Sequence, residues 1–168
     1  MDVSGSFAPA ANFFASIPTD WLLIGAFAVL VTFDTLKNGA RRSCTVALAL
    51  PIAAFLAGAL PQSEIVGPLY VQSSTPIFTV GLFAALFIAT YALISRFGLS
   101  WGDDAGQALH AALAGVAATA IVITMWIATP SLDGLWHFGS QVQNIFGEGY
   151  RFFWIFASYA VLAFVRNS

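Results

Sequence analysis

The chain contains five apolar stretches, and the short segments between them carry nearly all of its charge. Such a chain cannot fold in water. Hydrophobic residues make up 59% and charged residues 8%, with a mean hydropathy of +0.83, so the apolar surface exceeds what its polar side chains can cover. The lipid bilayer is therefore its solvent. In hydrocarbon every backbone N–H and C=O must be satisfied internally, which leaves helices or a closed barrel, and a barrel needs strands that alternate apolar with polar residues. These stretches do not alternate. Residues 77–95 (IFTVGLFAALFIATYALIS) run for 19 positions without a charge, close to the roughly 20 that a spanning helix needs. The expected fold is an all-α, multi-pass transmembrane helical bundle, with residues 1–168 as one integral membrane domain.

Spans are expected at about 21–36, 43–60, 77–95, 105–128 and 150–165. Thr19 is the expected N-cap of the first, with Asp20 in its first turn. Pro51 should kink the second unless neighbours compensate for its missing N–H, and Pro61 closes it. The third follows Pro76 and ends at Arg96. Ser100, Trp101, Gly102 and Asp103 resemble a capping box before the fourth, which Thr129 and Pro130 stop. The fifth stretch is the shortest, about 24 Å against a hydrocarbon core of about 30 Å, with Tyr150 and Arg151 at one end and Arg166 at the other to snorkel. Between the last two spans, Leu135, Phe138, Val142, Ile145 and Phe146 recur at helical spacing opposite His137, Gln141, Asn144 and Glu148. Residues 131–147 thus read as an amphipathic helix lying on the membrane surface. Phe7, Phe13, Phe14 and Ile17 suggest either a second segment lying at the membrane surface or a loosely ordered stretch, and no cleavable signal is expected because no base precedes the first apolar run.

Orientation follows from the bases, which are retained on the cytoplasmic side. Lys37, Arg41 and Arg42 lie between spans 1 and 2; the next connection has only Glu64, the next Arg96, the next His137 until Arg151, and the tail has Arg166. This alternation puts the N-terminus outside and the C-terminus in the cytoplasm with five spans. If the last stretch does not cross, four spans remain and the C-terminus lies outside. A net charge of −2 from eight acids and six bases gives no footing for nucleic acid, so the expected partners are the lipid bilayer and other membrane proteins or a second copy.

Ionisable groups within spans are costly and often functional. Asp34 lies about 20 Å from Trp21 along the first helix, near the inner boundary of a core about 30 Å thick. It reads either as an interfacial acid paired with Lys37, Arg41 or Arg42, or as a proton or cation site. His110 lies on the same half, with Asp103 and Asp104 at its helix start. Asp34, Lys37, Arg41, Arg42 and His110 are therefore expected to form one polar cluster at the cytoplasmic boundary. In the fourth span Ala108 with Ala112, and Ala111 with Gly115, form small-xxx-small pairs that let another helix approach closely. The single Cys44 reads as a small apolar filler and excludes an intramolecular disulfide. Motifs for hydrolases, nucleotides, dinucleotides and zinc are absent, and the two histidines lie 27 positions apart, so no enzyme activity, cofactor or metal is expected. The seven aromatic residues from Tyr150 to Phe164 read as a lipid-facing helix with an interfacial belt.

Two places resemble the colicin V production family of small bacterial inner-membrane proteins. A short first span leads into the turn Asn38-Gly39-Ala40-Arg41-Arg42 and a second span. Later, Gly98-Leu99-Ser100 and Asp104 precede the small-residue helix with Ala112-Leu113-Ala114-Gly115-Val116. With the overall size, the resemblance covers about two thirds of the chain. It departs at Arg42-Ser43, where the family has Arg-Gly, at Ala114, where arginine is common, and in the extra fifth stretch. The resemblance implies a non-enzymatic accessory or assembly role in a bacterial envelope, tied to toxin export and membrane homeostasis. An oligomeric small channel, holin or transporter subunit is the competing reading, and an enzyme acting on lipid at the Asp34 and His110 region a third.

Overall fold

A computed structural model describes residues 17–63, 75–96 and 108–167, and every regular element in them is helical. Four helices are long and apolar enough to cross a membrane: α1 (Thr19–Asn38), α2 (Arg41–Ala59, followed by a 3-10 turn at Leu60–Gln62), α3 (Pro76–Arg96) and α4 (Ala108–Ala128). Two short helices follow, α5 (Pro130–Asp133) and α6 (Ser140–Phe146), and then α7 (Arg151–Asn167). At 17 residues α7 is about 25 Å long and is the fifth apolar helix of the bundle.

The central helix is α4, which packs against α1, α2 and α7, while α3 packs on α2. Its sequence explains its place: Ala111, Ala114, Gly115, Ala117 and Ala118 are all buried, and side chains this small let several helices approach at once. The approach is closest at the α1 crossing. A Cβ added to Gly115 would collide with Thr32 Oγ1 and lie 2.9 Å from the Thr32 backbone Cα and N. By contrast α1 and α3 bury little of themselves, leaving Leu30, Phe33, Ile77 and Ile88 on the surface that a bilayer would cover.

Backbone and hydroxyl groups in this apolar setting find partners locally. Thr35, Thr45, Thr90, Thr119, Thr124 and Thr129 each donate a hydroxyl to the carbonyl four residues back. Thr35 Oγ1 also lies 2.6 Å from Ser43 Oγ, and both residues are buried. Because the Thr35 proton goes to Val31, Ser43 is the donor of that pair, which ties α1 to α2 across the turn at Gly39. Gly39 has φ of 77°, a left-handed conformation that a side chain would strain. Helix α2 continues through Pro51, which has no N–H for the Ala47 carbonyl. The Tyr159 hydroxyl of α7 donates to that carbonyl instead, at 3.0 Å.

Several expectations need correction. Thr19 is the first residue of α1 rather than its cap; the cap position is Pro18, with no side-chain hydrogen bond. Helix α1 reaches Asn38 and α2 begins at Arg41, so only Gly39 and Ala40 separate them. The amphipathic stretch 131–147 is not one surface helix. After a turn at 134–135, residues 136–139 belong to no regular element and separate α5 from α6, and Phe138, Val142 and Phe146 are buried against Ala120 and Ile123 of α4, with Trp21, Ile24 and Trp154 around them. The physical reason lies in the backbone partners. Gly139 N–H goes to Asp20 Oδ2 at 2.7 Å and the Trp136 carbonyl to Trp126 Nε1 at 3.0 Å, so side chains of α1 and α4 take groups that a continuous helix would have paired. The proposed capping box at Ser100–Asp103, Asp104, the Gly98-Leu99-Ser100 motif, residues 105–107, Glu64 and the segment with Phe7, Phe13 and Phe14 lie outside the described residues.

Candidate functional site

At the Gly39 end of the bundle the polar residues separate into pairs. Asp34 accepts from Asn38 Nδ2 at 2.7 Å and from Arg42 Nη1 at 3.4 Å, an exposed ion pair bridging α1 and α2. Asp34 and Arg42 both line a groove of about 280 Å³ whose other walls are Phe27, Leu30, Val31, Ser43, Val46, Ala118 and Val122. His110 is half-buried on α4 and does not line this groove. Arg41 points elsewhere, its Nη2 donating to the Ser95 carbonyl at the end of α3 at 3.2 Å, and Lys37 is exposed. Arg42 is thus the partner of Asp34 among the three bases considered. Of the small-residue pairs, Ala111 and Gly115 are buried, Ala112 is half-buried and Ala108 is exposed, so the contact runs along the Ala111, Gly115 and Ala118 side.

At the opposite end three apolar helices hold the segment 134–147 by their indoles. Trp21 of α1 donates to Gln141 Oε1 at 3.3 Å, Trp126 of α4 to the Trp136 carbonyl, and Trp154 of α7 to the Ile145 carbonyl at 2.7 Å. His137 sits between Asp133 and Gln143: its Nδ1 is 3.0 Å from Asp133 Oδ2 and its Nε2 is 3.0 Å from Gln143 Nε2. With Nδ1 protonated toward the carboxylate, Nε2 accepts from the amide. Both ring nitrogens are then engaged, and the histidine links α5 to α6.

The same end contains a chamber of about 920 Å³. Its walls are the second half of α2 (Pro51, Ala54, Phe55, Ala57, Gly58, Pro61), the first half of α3 (Pro76, Thr79, Val80, Leu82, Phe83), the end of α4 with α5 and its neighbours (Met125, Ala128, Thr129, Pro130, Ser131, Gly134, Leu135) and the start of α7 (Arg151, Ile155). The small side chains of Ala54, Ala57 and Gly58 on α2 leave the space between the walls unfilled. Phe55 and Leu135 are exposed as well as chamber-lining, so the space communicates with the bundle surface. Among the described residues Arg151 is the one charged wall residue, and its Nε is buried without a hydrogen-bond partner. The sequence marks Arg151 as a helix end and no more. A chamber made by four separated stretches has no local pattern, and only the small residues Ala54, Ala57 and Gly58 at helical spacing hint at it.

Fold and site together define an α-helical integral membrane protein with four long apolar helices and a shorter fifth beside them. None of the family models, curated proteins or solved structures compared matches the chain. Among the described residues no group of three or more His, Cys, Asp or Glu is gathered in metal-binding geometry.

Proposed function

We propose that the chain is a non-enzymatic accessory component of a bacterial envelope that works by receiving an apolar or amphipathic molecule in the chamber between α2, α3 and α7. The observation that carries this reading is the chamber itself. Its volume of about 920 Å³ lies within the roughly 300–1,000 Å³ of small-molecule sites, and its walls are mostly apolar with few polar groups. The distribution of bases supports the inner-membrane orientation read from the sequence. Lys37, Arg41, Arg42 and Arg96 lie at the Gly39 end, and α7 ends there with Arg166, whereas Arg151 is alone at the tryptophan end. On that orientation the chamber lies in the outer half of the bilayer.

A photoreactive hexadecanol tests the reading on the detergent-solubilised full chain. Label should concentrate on peptides containing residues 54–58 and 79–83, and Ala57→Trp, which fills the chamber, should reduce it about ten-fold, as loss of roughly 1.4 kcal/mol of binding would. Label at the exposed residues Val29 and Phe33 of α1 serves as the reference for non-specific contact and should not change. Even labelling of all exposed faces, indifferent to Ala57→Trp, would overturn the reading.

A further inference from the structure

Arg151 gives the chamber a chemical preference. Burying a guanidinium N–H without an acceptor is unfavourable. Yet Nε of Arg151 is buried with no partner, in a wall whose other described residues are uncharged. Arg151 is half-buried in the chamber wall at the first turn of α7, and a guanidinium is a planar fork of N–H donors. Such a fork matches the paired oxygens of a carboxylate or phosphate side-on. The helix start adds the positive end of its dipole at the same place.

The rest of the chamber asks for a chain. From Pro51 to Pro61 the α2 wall extends about 15 Å along the helix axis, and Ala54, Ala57 and Gly58 leave it open. We infer that the chamber binds an anionic amphiphile of the surrounding leaflet, its carboxylate or phosphate head on the Arg151 guanidinium and its hydrocarbon chain between α2 and α3. The inference rests on the chamber reading and adds the head group. It places the charged head at the tryptophan end, beside the bilayer interface, and the chain toward the hydrocarbon, the direction in which a lipid of that leaflet already lies.

The test compares photoreactive hexadecyl phosphate with the matching hexadecanol on the full chain in neutral detergent, at about pH 8, where the phosphate ester is ionised. Chamber peptides should be labelled about ten-fold more by the phosphate, the ratio that a charge-assisted hydrogen bond supports. Arg151→Gln should bring that ratio to about one, and Arg151→Lys, which keeps the charge and loses the fork, should give an intermediate ratio. On the unaltered chain, free hexadecyl phosphate should compete with the label while hexadecylamine and inorganic phosphate do not, a readout that needs no variant to fold. Equal labelling by the two probes, or a preference that survives Arg151→Gln, overturns the anionic head and leaves the chamber reading standing. Competition by inorganic phosphate alone overturns the amphiphile in favour of a free anion. Absence of chamber label from both probes removes the chamber reading as well.

Discussion

Pro51 leaves the Ala47 carbonyl without its helical donor, and Tyr159 supplies one from another helix. In an apolar interior that bond replaces no water, so its loss leaves an unsatisfied acceptor and is expected to cost about 1–3 kcal/mol. Tyr159→Phe should therefore lower thermal stability in detergent. In a Pro51→Ala background the restored backbone N–H takes the same carbonyl, and Tyr159→Phe should then cost about half as much or less, a coupling that a double-mutant cycle reads directly. Equal costs in both backgrounds would show that the hydroxyl matters for some other reason. Glycines separate by the same local test. Gly115→Ala presses a Cβ on the Thr32 backbone, which cannot rotate away as a side chain can, and should destabilise by about 1–3 kcal/mol. Gly81 has nothing within 4 Å of its Cβ position, so Gly81→Ala should be neutral or stabilise by up to about 1 kcal/mol through helix propensity. Melting curves of the two variants, side by side, check the opposite signs.

Among the elements, the segment between α4 and α7 is the one whose place depends on side chains elsewhere. Its apolar residues Phe138, Val142 and Phe146 pack inward, and its backbone is held by Asp20, Trp126 and Trp154. Trp154→Phe keeps an aromatic ring beside Phe146, 4.6 Å from it in the native pair, but frees the Ile145 carbonyl. Loss of one hydrogen bond worth about 1 kcal/mol should speed amide hydrogen exchange across residues 140–146 about five-fold, with α2 and α3 unchanged. The four long helices were legible in the sequence to within a few residues because hydrophobic length alone decides a span. This segment was not, because periodicity tells which face of a stretch is apolar and is silent on whether protein or lipid covers it. The donors that settle the matter, Trp21, Trp126 and Trp154, come from three helices far apart in the chain. The Asp34 region was half legible: the acid and its candidate bases are visible, but the choice of Arg42 follows from the tight turn at Gly39, which sets α1 against α2. Arg151 is read from the sequence as an anchor at a helix end, and the chamber beside it comes from packing that no single stretch encodes.

For the whole molecule the number of crossings turns on α7, at 17 residues the shortest of the five apolar helices. Its contacts run nearly the full depth of the bundle. Trp154 bonds Ile145 at the tryptophan end, Tyr159 reaches Ala47 near the middle of α2, and Leu162 belongs to the buried cluster that also holds Cys44 and Ala114. Cys44 lies in the first turn of α2, one turn from Gly39. A helix of about 25 Å that begins at one end and packs beside the other falls only about 5 Å short of a hydrocarbon core of about 30 Å, a mismatch that local thinning and the flanking polar residues absorb at modest cost. If α7 crosses and the basic Gly39 end is cytoplasmic, as proposed from the distribution of bases, the chain after α7 is cytoplasmic too. Cys44 is 1% exposed, so Cys44→Ala gives a background for site-directed labelling with little disturbance. In intact bacterial cells a cysteine at Glu148 should react with a membrane-impermeant maleimide. Cysteines at Asn38 and at the C-terminal Ser168 should react only after the membrane is opened. Reaction of Ser168→Cys in intact cells, with Asn38→Cys still protected, would show that α7 turns back and that four helices make the crossing.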